Sequence, residues 1–311
     1  MRIENKRIAI LDIGTNTFHI LIAELDKNGQ FESLHREKVP VKLGQGGINQ
    51  NLITDAAIER AKDAFKYFKE LLSSFQVTHL KTIATSAVRN ATNTSSFVEM
   101  AYNSFDIEIE VIDGNREAEL IYKGVKKAIP LDSQRSLIID IGGGSVEFII
   151  CNNATIFWKK SFEIGGQRLV EKFHQNDPIN KKETESLLSY IDIQLKELVI
   201  ACNKYQPINL IGASGAFETL SDIYYEEHHI TGSILNRSFH ILPKQAFKNI
   251  HQELIRKTTR ERMAIPGMIE MRVDMIVVSS FLIDYVLEKN NLNQIFTSSY
   301  ALKEGVLSEF Y

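Results

Sequence analysis

Ser136 to Ile150 read SLIIDIGGGSVEFII, and this stretch decides the fold. An apolar run ends at Asp140, a glycine triplet and Ser145 follow, and a second apolar stretch continues through Glu147. The pattern predicts a strand, a turn of the size of a phosphate group and a second strand, because glycines let backbone N–H groups approach an anion closely. A carboxylate at the strand end suits a divalent metal or a water. A glycine-rich hairpin turn without a ligand explains an isolated copy equally well.

A second copy of the pattern, IAILDIGTNTFHILIAEL, covers Ile8 to Leu25. When the copies are superimposed, Asp12 matches Asp140 and Thr17 matches Ser145. A duplication of this kind predicts two related half-domains whose loops face each other across a cleft and hold one anionic ligand from both sides. The predicted phosphate-binding residues are Asp12, Gly14, Thr15, Asn16 and Thr17 in the first copy and Gly142, Gly143, Gly144 and Ser145 in the second.

Length and composition limit the class of protein. The 311 residues, 44% of them hydrophobic, are enough for two domains with buried cores. No apolar run approaches the roughly 18 residues of a membrane span, so we expect a soluble cytoplasmic protein that contacts no membrane. The net charge of −3 disfavours specific nucleic-acid binding, and an anionic substrate therefore needs a local basic site. Cys151 and Cys202 fit no metal-ligand spacing and are expected to be buried thiols rather than a disulfide.

Another candidate anion site follows the predicted strand from Leu80 to Thr85. Ser86 and Arg89 stand there beside a predicted helix start, within TSAVRNA. A hydroxyl, a helix N-terminus and a guanidinium are groups that bind phosphate. A capped helix with a solvated arginine fits the same residues. The glycine-rich segment KLGQGGINQN, residues 42–51, has the composition of a flexible connector.

Glu117 is the strongest catalytic candidate outside the two loops. It lies in the first turn of a helix predicted from Asn115 to about Ala128, in the middle of the apolar arc, whereas Glu119 lies on the opposite face. An inward carboxylate is costly unless it meets a metal, a water or a hydrogen-bond donor. The helix N-terminus favours the ionised form, which suits a general base that activates water. A capping carboxylate bonded to the Asn115 backbone is the alternative.

Two further segments are candidates for phosphate or nucleotide binding. Gly212, Ser214 and Gly215 connect a predicted strand to a predicted helix and form a candidate nucleotide loop. Tight packing of the strand against the helix explains these glycines equally well. The segment RKTTRERMAIPG, residues 256–267, is the densest basic stretch, and it is predicted either to attract polyphosphate or to be solvated surface.

Six motifs, spread in order over the chain, resemble the exopolyphosphatase and guanosine pentaphosphate phosphohydrolase family, a branch of the actin, Hsp70 and sugar kinase superfamily. The motifs are LDIGTNTFHI, IATSAVRNATN, NREAELIYKGV, IDIGGGSVEF, IGASGAFETL and ALKEGVL. The resemblance implies an α/β fold with two ribonuclease H-like domains and an interdomain cleft, in which terminal phosphate is hydrolysed with Mg²⁺ or another divalent cation. The implied domains are residues 1–124 with 300–311, and residues 125–299.

The resemblance also assigns roles to residues. Glu117 matches the family glutamate that activates water, while Asp12, Asp140 and Glu147 match the carboxylates that support metal and water. We therefore predict Glu117, Asp140 and Glu147 as catalytic residues, and Asp12, Asp140 and Glu147 as metal ligands. Asp140 and Glu147 are expected on a solvent-accessible phosphate loop.

The sequence departs from the family pattern at three positions. Val146 replaces a residue that is often threonine, which removes one hydroxyl. Ser214 and Ala216 stand where glycine and threonine are usual, so the resemblance gives less support to nucleotide binding by this loop. The longer family members carry a C-terminal helical domain, and a sequence that stops at Tyr311 resembles the short two-domain form.

Three classes of function compete. The leading hypothesis is a homodimeric hydrolase that releases terminal orthophosphate from inorganic polyphosphate, with conversion of pppGpp to ppGpp as the alternative. A kinase of the same fold needs an acceptor pocket with its own base, and two distant cysteines do not supply the zinc motif usual in the short kinases of the superfamily. A non-enzymatic nucleotide-binding protein does not require an inward carboxylate at Glu117.

Overall fold

Two mixed β-sheets organise the chain, one in each of two units. The structure is a computed structural model that describes residues 6–26, 31–231 and 237–310. The first unit comprises Met1–Leu120 with Leu302–Tyr311, and the second comprises Ile121–Ala301. The α/β fold class predicted from the sequence is confirmed, because helices connect the strands of both sheets.

The first unit contains a five-stranded sheet in the order β3-β2-β1-β4-β5. Strands β1 to β3 form an antiparallel meander, and β4 and β5 extend it in parallel. Its elements are β1 (Lys6–Ile13), β2 (Phe18–Leu25), β3 (Phe31–Val39), α1 (Asp55–Ser74), β4 (His79–Ala84), α2 (Ser86–Arg89), α3 (Thr94–Phe105), β5 (Ile109–Val111) and the start of α4 (Gly114–Ala128), which continues into the second unit.

The second unit contains a six-stranded sheet in the order β10-β11-β9-β6-β7-β8. Its elements are β6 (Ser136–Ile141), β7 (Val146–Cys151), β8 (Ile156–Phe162), α5 (Gly166–Phe173), α6 (Lys181–Gln194), α7 (Lys196–Tyr205), β9 (Asn209–Ala213), α8 (Gly215–Glu227), β10 (Phe239–Leu242), α9 (Lys244–Arg256), α10 (Thr259–Met263), α11 (Met275–Lys289) and β11 (Gln294–Ser298). Helix α12 (Leu302–Leu307) then belongs to the first unit.

The two sequence copies form two hairpins with the same register. Asp12 on β1 stands opposite His19 on β2, and Asp140 on β6 stands opposite Glu147 on β7. In both hairpins a four-residue loop follows one residue after the aspartate. All residues of β6 and β7 are buried, which explains why their apolar runs are nearly continuous. The strand, turn, strand prediction is correct for both copies.

Most predicted helices form where the apolar period places them. Helix α1 buries Ala61, Phe65 and Phe68 against the first sheet, and the side chain of Thr54 caps it by accepting from the Ala57 amide. The single helix predicted from residue 181 to 202 is divided at Leu195. That residue stays fully buried and still accepts from the Val199 amide, so the amphipathic period continues across the break.

Other sequence predictions concern the membrane and the cysteines. Within the described ranges, every helix is too short or too polar to cross a membrane. Cys151 and Cys202 are buried free thiols, as predicted, and burial raises the pKa of each to about 12. The thiolate forms needed for metal binding or disulfide exchange are therefore disfavoured.

Candidate active site

Asp140 and Glu147 form a buried carboxylate pair in the second hairpin. They are cross-strand partners, and they are only 6% and 1% exposed. The hydroxyl of Ser161 on β8 donates to Glu147 Oε1 at 2.6 Å. The expectation that both carboxylates lie on a solvent-accessible loop is wrong, because the strands continue to Ile141 and resume at Val146 and so leave only the glycines and Ser145 in the loop.

The carbonyl groups of this loop, residues 142–145, are held by the start of α5. The hydrogen bonds run from the Gly165 amide to Gly144 O (3.1 Å), from the Gly166 amide to Gly142 O (2.9 Å) and from the Gln167 amide to Gly143 O (2.8 Å). In a planar trans peptide the N–H points away from the carbonyl. The amides of Gly143, Gly144 and Ser145 are therefore directed away from α5, as an anion-binding loop requires.

The first hairpin loop, residues 14–17, is held in the same way. The Lys42 amide donates to Asn16 O at 2.7 Å, and the Gly44 amide donates to Thr15 O at 2.8 Å. The amides of Asn16 and Thr17 consequently point away from this segment. A Cβ on Gly44 would stand 2.4 Å from the Thr15 methyl, so the close approach requires glycine. The interpretation of residues 42–51 as a flexible connector is therefore wrong.

The two hairpins differ in charge beside the aspartate. His19 Nδ1 lies 3.8 Å from Asp12 Oδ2, and Lys303 Nζ lies 3.2 Å from the same His19 nitrogen. Glu147 occupies the equivalent register position in the second hairpin. The first hairpin thus combines one carboxylate with nitrogen groups, whereas the second combines two carboxylates. His19 and Lys303 are absent from the predicted site residues, although superimposing the two copies pairs His19 with Glu147.

Glu117 is buried and paired with Arg89. The Glu117 residue is 6% exposed, and its Oε2 accepts from Arg89 Nη1 at 2.8 Å. The same Nη1 donates to the carbonyl of Ile112 at 3.1 Å, which fixes the guanidinium. The cap at the start of α4 is Asp113, whose Oδ1 accepts from the Arg116 amide at 2.8 Å. The structure therefore brings together Arg89, predicted as part of an anion site, and Glu117, predicted as the general base.

Arg89 is not the solvated arginine that the alternative interpretation predicted. Its side chain is 15% exposed, and it extends from α2, which contains only Ser86–Arg89. Ser86 is buried, and its hydroxyl accepts from the Asn90 side chain at 3.3 Å. Because a guanidinium favours an ionised neighbouring carboxylate, Arg89 acts on Glu117 as a charge partner.

The glycines of residues 212–215 serve packing. A Cβ on Gly212 would stand 2.0 Å from the Phe217 ring, which supports tight strand–helix packing. Ser214 adopts φ 69° and ψ −179°, a conformation that is almost confined to glycine. A Cβ on Gly215 would meet the guanidinium of Arg272 at 2.0 Å. The candidate nucleotide loop is therefore occupied on one side by a ring and on the other by an arginine.

Arg272 is a third residue, after His19 and Lys303, that is absent from the predicted site residues. It lines a small cavity of about 10 Å³, which has room for about one water molecule. Burial lowers the pKa of its guanidinium, whereas the nearby carboxylates of Glu218 and Asp140 raise it. Within the described part of the chain, Arg272 Nε is buried without a hydrogen-bond acceptor. The cavity is lined by Ile141, Gly142, Ala216, Arg272, Met275, Ile276 and Ser279.

The basic stretch predicted to be a surface patch is only partly exposed. Arg256 and Arg260 are exposed, and Lys257 pairs with Glu253. Arg262 is fully buried, so it does not belong to a surface that attracts polyphosphate. A lone sequence cannot distinguish this arginine from its neighbours, because its burial depends on loops distant in the chain.

Metal binding was predicted at Asp12, Asp140 and Glu147. Among residues 6–26, 31–231 and 237–310, no group of three or more His, Cys, Asp or Glu side chains has the geometry of a metal site. Asp140 and Glu147 are nevertheless adjacent carboxylates, and Mg²⁺ is usually held by one or two carboxylates together with waters and substrate phosphate. This pair fits such an ion, whereas Asp12 belongs to the other unit.

Comparison with known proteins identifies the family. The model of the Ppx/GppA phosphatase family matches residues 21–310. This chain belongs to the Ppx/GppA phosphatase family. An exopolyphosphatase structure from Cytophaga hutchinsonii is 43% identical, with a TM-score of 0.95 and coverage of 98% of this chain and 97% of that one.

Two more distant relatives agree with this assignment. A candidate exopolyphosphatase of Haemophilus influenzae is 28% identical over 302 residues, which are 97% of this chain and 90% of that protein. A Ppx/GppA family member from Aquifex aeolicus has the same fold, with a TM-score of 0.79 at 22% identity, and the match covers 98% of this chain and 97% of that one. The family resemblance drawn from the six motifs is therefore confirmed.

The strain at Ser214 leads to a stability prediction. The conformation of Ser214 costs about 1–3 kcal/mol for a residue other than glycine, and Ser214→Gly removes this cost. Glycine loses more conformational entropy on folding, which offsets part of the gain. We expect a net gain of about 1 kcal/mol, or a rise in melting temperature of about 2–4 °C. Ser214→Ala is the matched control and should give no such gain. Equal melting temperatures for the glycine variant and the parent protein would contradict the account of this loop.

The contact between α5 and the second loop leads to another prediction. A Cβ on Gly165 would stand 2.4 to 2.5 Å from backbone atoms of Gly143 and Gly144. Gly165→Ala should therefore cost about 1–3 kcal/mol of stability and displace the loop. At Gly166 the nearest atoms belong to the Met275 side chain at 3.3 Å, which is able to move, so Gly166→Ala should cost less. Chemical denaturation of both variants measures this difference, and equal losses would contradict it.

Proposed function

We propose that this protein is an exopolyphosphatase, which releases terminal orthophosphate from inorganic polyphosphate. The observation that carries the proposal is the pair of hairpin loops whose carbonyls are held from behind by a second segment. Their amides therefore have a fixed orientation that suits phosphate oxygens. The 43% identical structure named an exopolyphosphatase supports the same substrate class.

The base in this proposal is Glu117. The neighbouring guanidinium of Arg89 favours the ionised form of the buried Glu117 carboxylate, and this form is able to accept a proton from the attacking water. The water oxygen forms a bond to the terminal phosphorus, and the bond between that phosphorus and the bridging oxygen breaks. The bridging oxygen stays with the shortened chain, and orthophosphate is released. Arg89 keeps the carboxylate in one rotamer through its second bond to the Ile112 carbonyl.

The phosphate groups are assigned to the loop amides and to basic side chains. In the second unit, Gly143, Gly144 and Ser145 supply amides, and Arg272 beside Gly142 supplies a charged donor. A buried donor without an acceptor costs about 1–3 kcal/mol, and a phosphate oxygen near Arg272 Nε would remove this cost. In the first unit, the amides of Asn16 and Thr17 are joined by the nitrogen groups of His19 and Lys303.

Mg²⁺ is the proposed cofactor, with Asp140 and Glu147 as its protein ligands. When bound, such an ion neutralises charge on phosphate oxygens. Ser161 orients Glu147 by donating to its Oε1 at 2.6 Å, and Glu147 stands opposite Asp140 across the hairpin. Assignment of Asp12 to the same ion remains a prediction from the family resemblance.

The alternative substrate is pppGpp, whose terminal phosphate offers the same chemistry. The observation that disfavours pppGpp concerns the candidate nucleotide loop, where Phe217 and Arg272 fill the space beside Gly212 and Gly215. A purine and ribose would have to be held elsewhere. A kinase activity would require an acceptor hydroxyl in place of water.

Phosphate release from both substrates, with Mg²⁺ and with a chelator, tests the proposal. We expect orthophosphate from polyphosphate in the presence of Mg²⁺ and little with the chelator. Faster release from pppGpp would favour the alternative substrate. No release from either substrate would contradict the proposed function.

A further inference from the structure

Arg262 is a fully buried arginine that the proposed chemistry does not use. Its exposure is 0%, and it is the largest of the fully buried side chains among the described residues. A buried cation is retained only when its donors and its charge are matched by partners. The partners of Arg262 are therefore informative about its role.

The guanidinium connects three separate segments of the second unit. Nη1 donates to Lys257 O at 2.6 Å, and Nε donates to Val273 O at 3.2 Å. Nη2 donates to Asp177 Oδ1 at 3.2 Å and to Thr259 Oγ1 at 3.0 Å. All three nitrogens are engaged, and the carboxylate that forms an ion pair with Arg262, that of Asp177, comes from the loop between α5 and α6.

Asp177 is itself held in position. Its Oδ2 accepts from the Thr259 amide at 2.7 Å, so one carboxylate binds both the guanidinium and the start of α10. Hydrogen bonds from Thr259 and the charges of Arg262 and His174 lower its pKa, although burial opposes this. Burial lowers the pKa of His174, three residues earlier, whereas the backbone of Asp274 acts in the opposite direction. The loop between α5 and α6 thus holds the start of α10 and the guanidinium of Arg262 together.

Arg272 lies in a short turn just before Asp274. Glu270–Arg272 is a single 3₁₀ turn, closed by hydrogen bonds from the Arg272 amide to Ile269 O at 3.0 Å and from the Val273 amide to Glu270 O at 3.4 Å. Hydrogen-bond geometry in a 3₁₀ turn is poorer than in an α-helix, so contacts from other segments contribute to holding it. Arg262 binds the carbonyl of Val273, the residue that follows Arg272. The guanidinium of Arg272 in turn packs on Gly215 and faces Asp140.

We propose that the buried Arg262 and its partner Asp177 form a latch that positions Arg272 beside the second phosphate loop. The latch residues touch no substrate and act only through the 270–273 turn, so they are positioning residues. This inference rests on the proposed function only where it assigns Arg272 to phosphate. The geometric part, that the latch fixes Arg272, stands independently of any activity.

Asp177→Asn is the most useful variant, because the Asp177 side chain is 41% exposed and the fold should tolerate the change. Arg262→Gln is the second variant, although it removes a buried charge and is more damaging. We expect Asp177→Asn to lower kcat/KM by about 10-fold, mainly through KM, and Arg272→Gln to lower it by about 100-fold, as loss of charge-assisted bonds does. Glu185→Gln, at an exposed carboxylate on α6, is the control.

Two readouts test the latch. The first readout is kcat/KM in the double variant Asp177→Asn with Arg272→Gln. Here the Asp177 change should lower kcat/KM little below the value of Arg272→Gln alone, because both changes act through the guanidinium of Arg272. In an arginine Nε–Hε NMR spectrum, with the Arg272 peak assigned by its loss in Arg272→Gln, Asp177→Asn should shift or broaden that peak, whereas Glu185→Gln should not.

The latch would be overturned if the losses in kcat/KM of the two single variants add in the double variant, or if the Arg272 peak does not move in Asp177→Asn. If the parent protein releases no phosphate from polyphosphate or pppGpp, the proposed function fails, and the NMR peak alone still decides whether Asp177 positions Arg272.

Discussion

Glu117→Gln is expected to lower kcat for phosphate release by about 10²- to 10⁴-fold, the usual effect of removing a general base. Glutamine keeps the size of the side chain and an acceptor for Arg89, whose bond to Glu117 is 2.8 Å. KM should therefore change little. Steady-state kinetics on polyphosphate, corrected for the folded fraction, gives the result.

Glu119→Gln is the matched control for this variant. Glu119 lies on the same helix, but its side chain is 42% exposed and forms a long surface ion pair with Arg116 at 3.9 Å. The activity of this control should stay close to that of the parent protein. A lower melting temperature with retained turnover in Glu117→Gln would show that Glu117 is a structural partner of Arg89 and that another carboxylate is the base.

The second large effect is expected at the carboxylate pair of the second hairpin. Asp140→Asn and Glu147→Gln should each raise the Mg²⁺ concentration for half-maximal activity by at least about 10-fold, since even indirect metal partners contribute 10- to 100-fold. Glutamine is chosen at position 147 because the buried side chain must still accept the hydrogen bond from Ser161. Mg²⁺ titration of phosphate release measures the shift.

A surface carboxylate of the same unit controls for nonspecific effects of charge. Asp192, on α6, accepts a hydrogen bond from the Tyr285 hydroxyl at 2.8 Å and pairs with Lys289. Asp192→Asn should leave the Mg²⁺ dependence unchanged. Unchanged dependence in both Asp140→Asn and Glu147→Gln would remove the pair from the metal site and leave the cofactor proposal without ligands.

Much of the fold could be predicted from the sequence because its signals are local. The duplicated aspartate–glycine pattern specified both hairpins and their common register, and helical periodicity located α1 and α4. The pairing of Asp140 with Glu147 follows from hairpin geometry, since strand partners are set by loop length. The inward position of Glu117 follows from the helical wheel, because the helical period alone decides which residues share a face.

The errors concern contacts between segments far apart in sequence. Residues 42–51 have the composition of a loose connector, and only the distant loop at Thr15 and Asn16 gives them fixed hydrogen bonds. Arg262 looks like a surface residue until Asp177 and Val273 are brought to it. The positions of Arg272 and Lys303 depend on the same kind of long-range packing. The predicted homodimer, the cytoplasmic location and the interdomain cleft remain predictions.

Hydrolysis in ¹⁸O-labelled water tests the central claim most directly. If water attacks the terminal phosphorus, mass spectrometry of the products should show one solvent-derived ¹⁸O in the released orthophosphate and none in the shortened polyphosphate. Label in the shortened chain, or unlabelled orthophosphate, would contradict terminal attack by water.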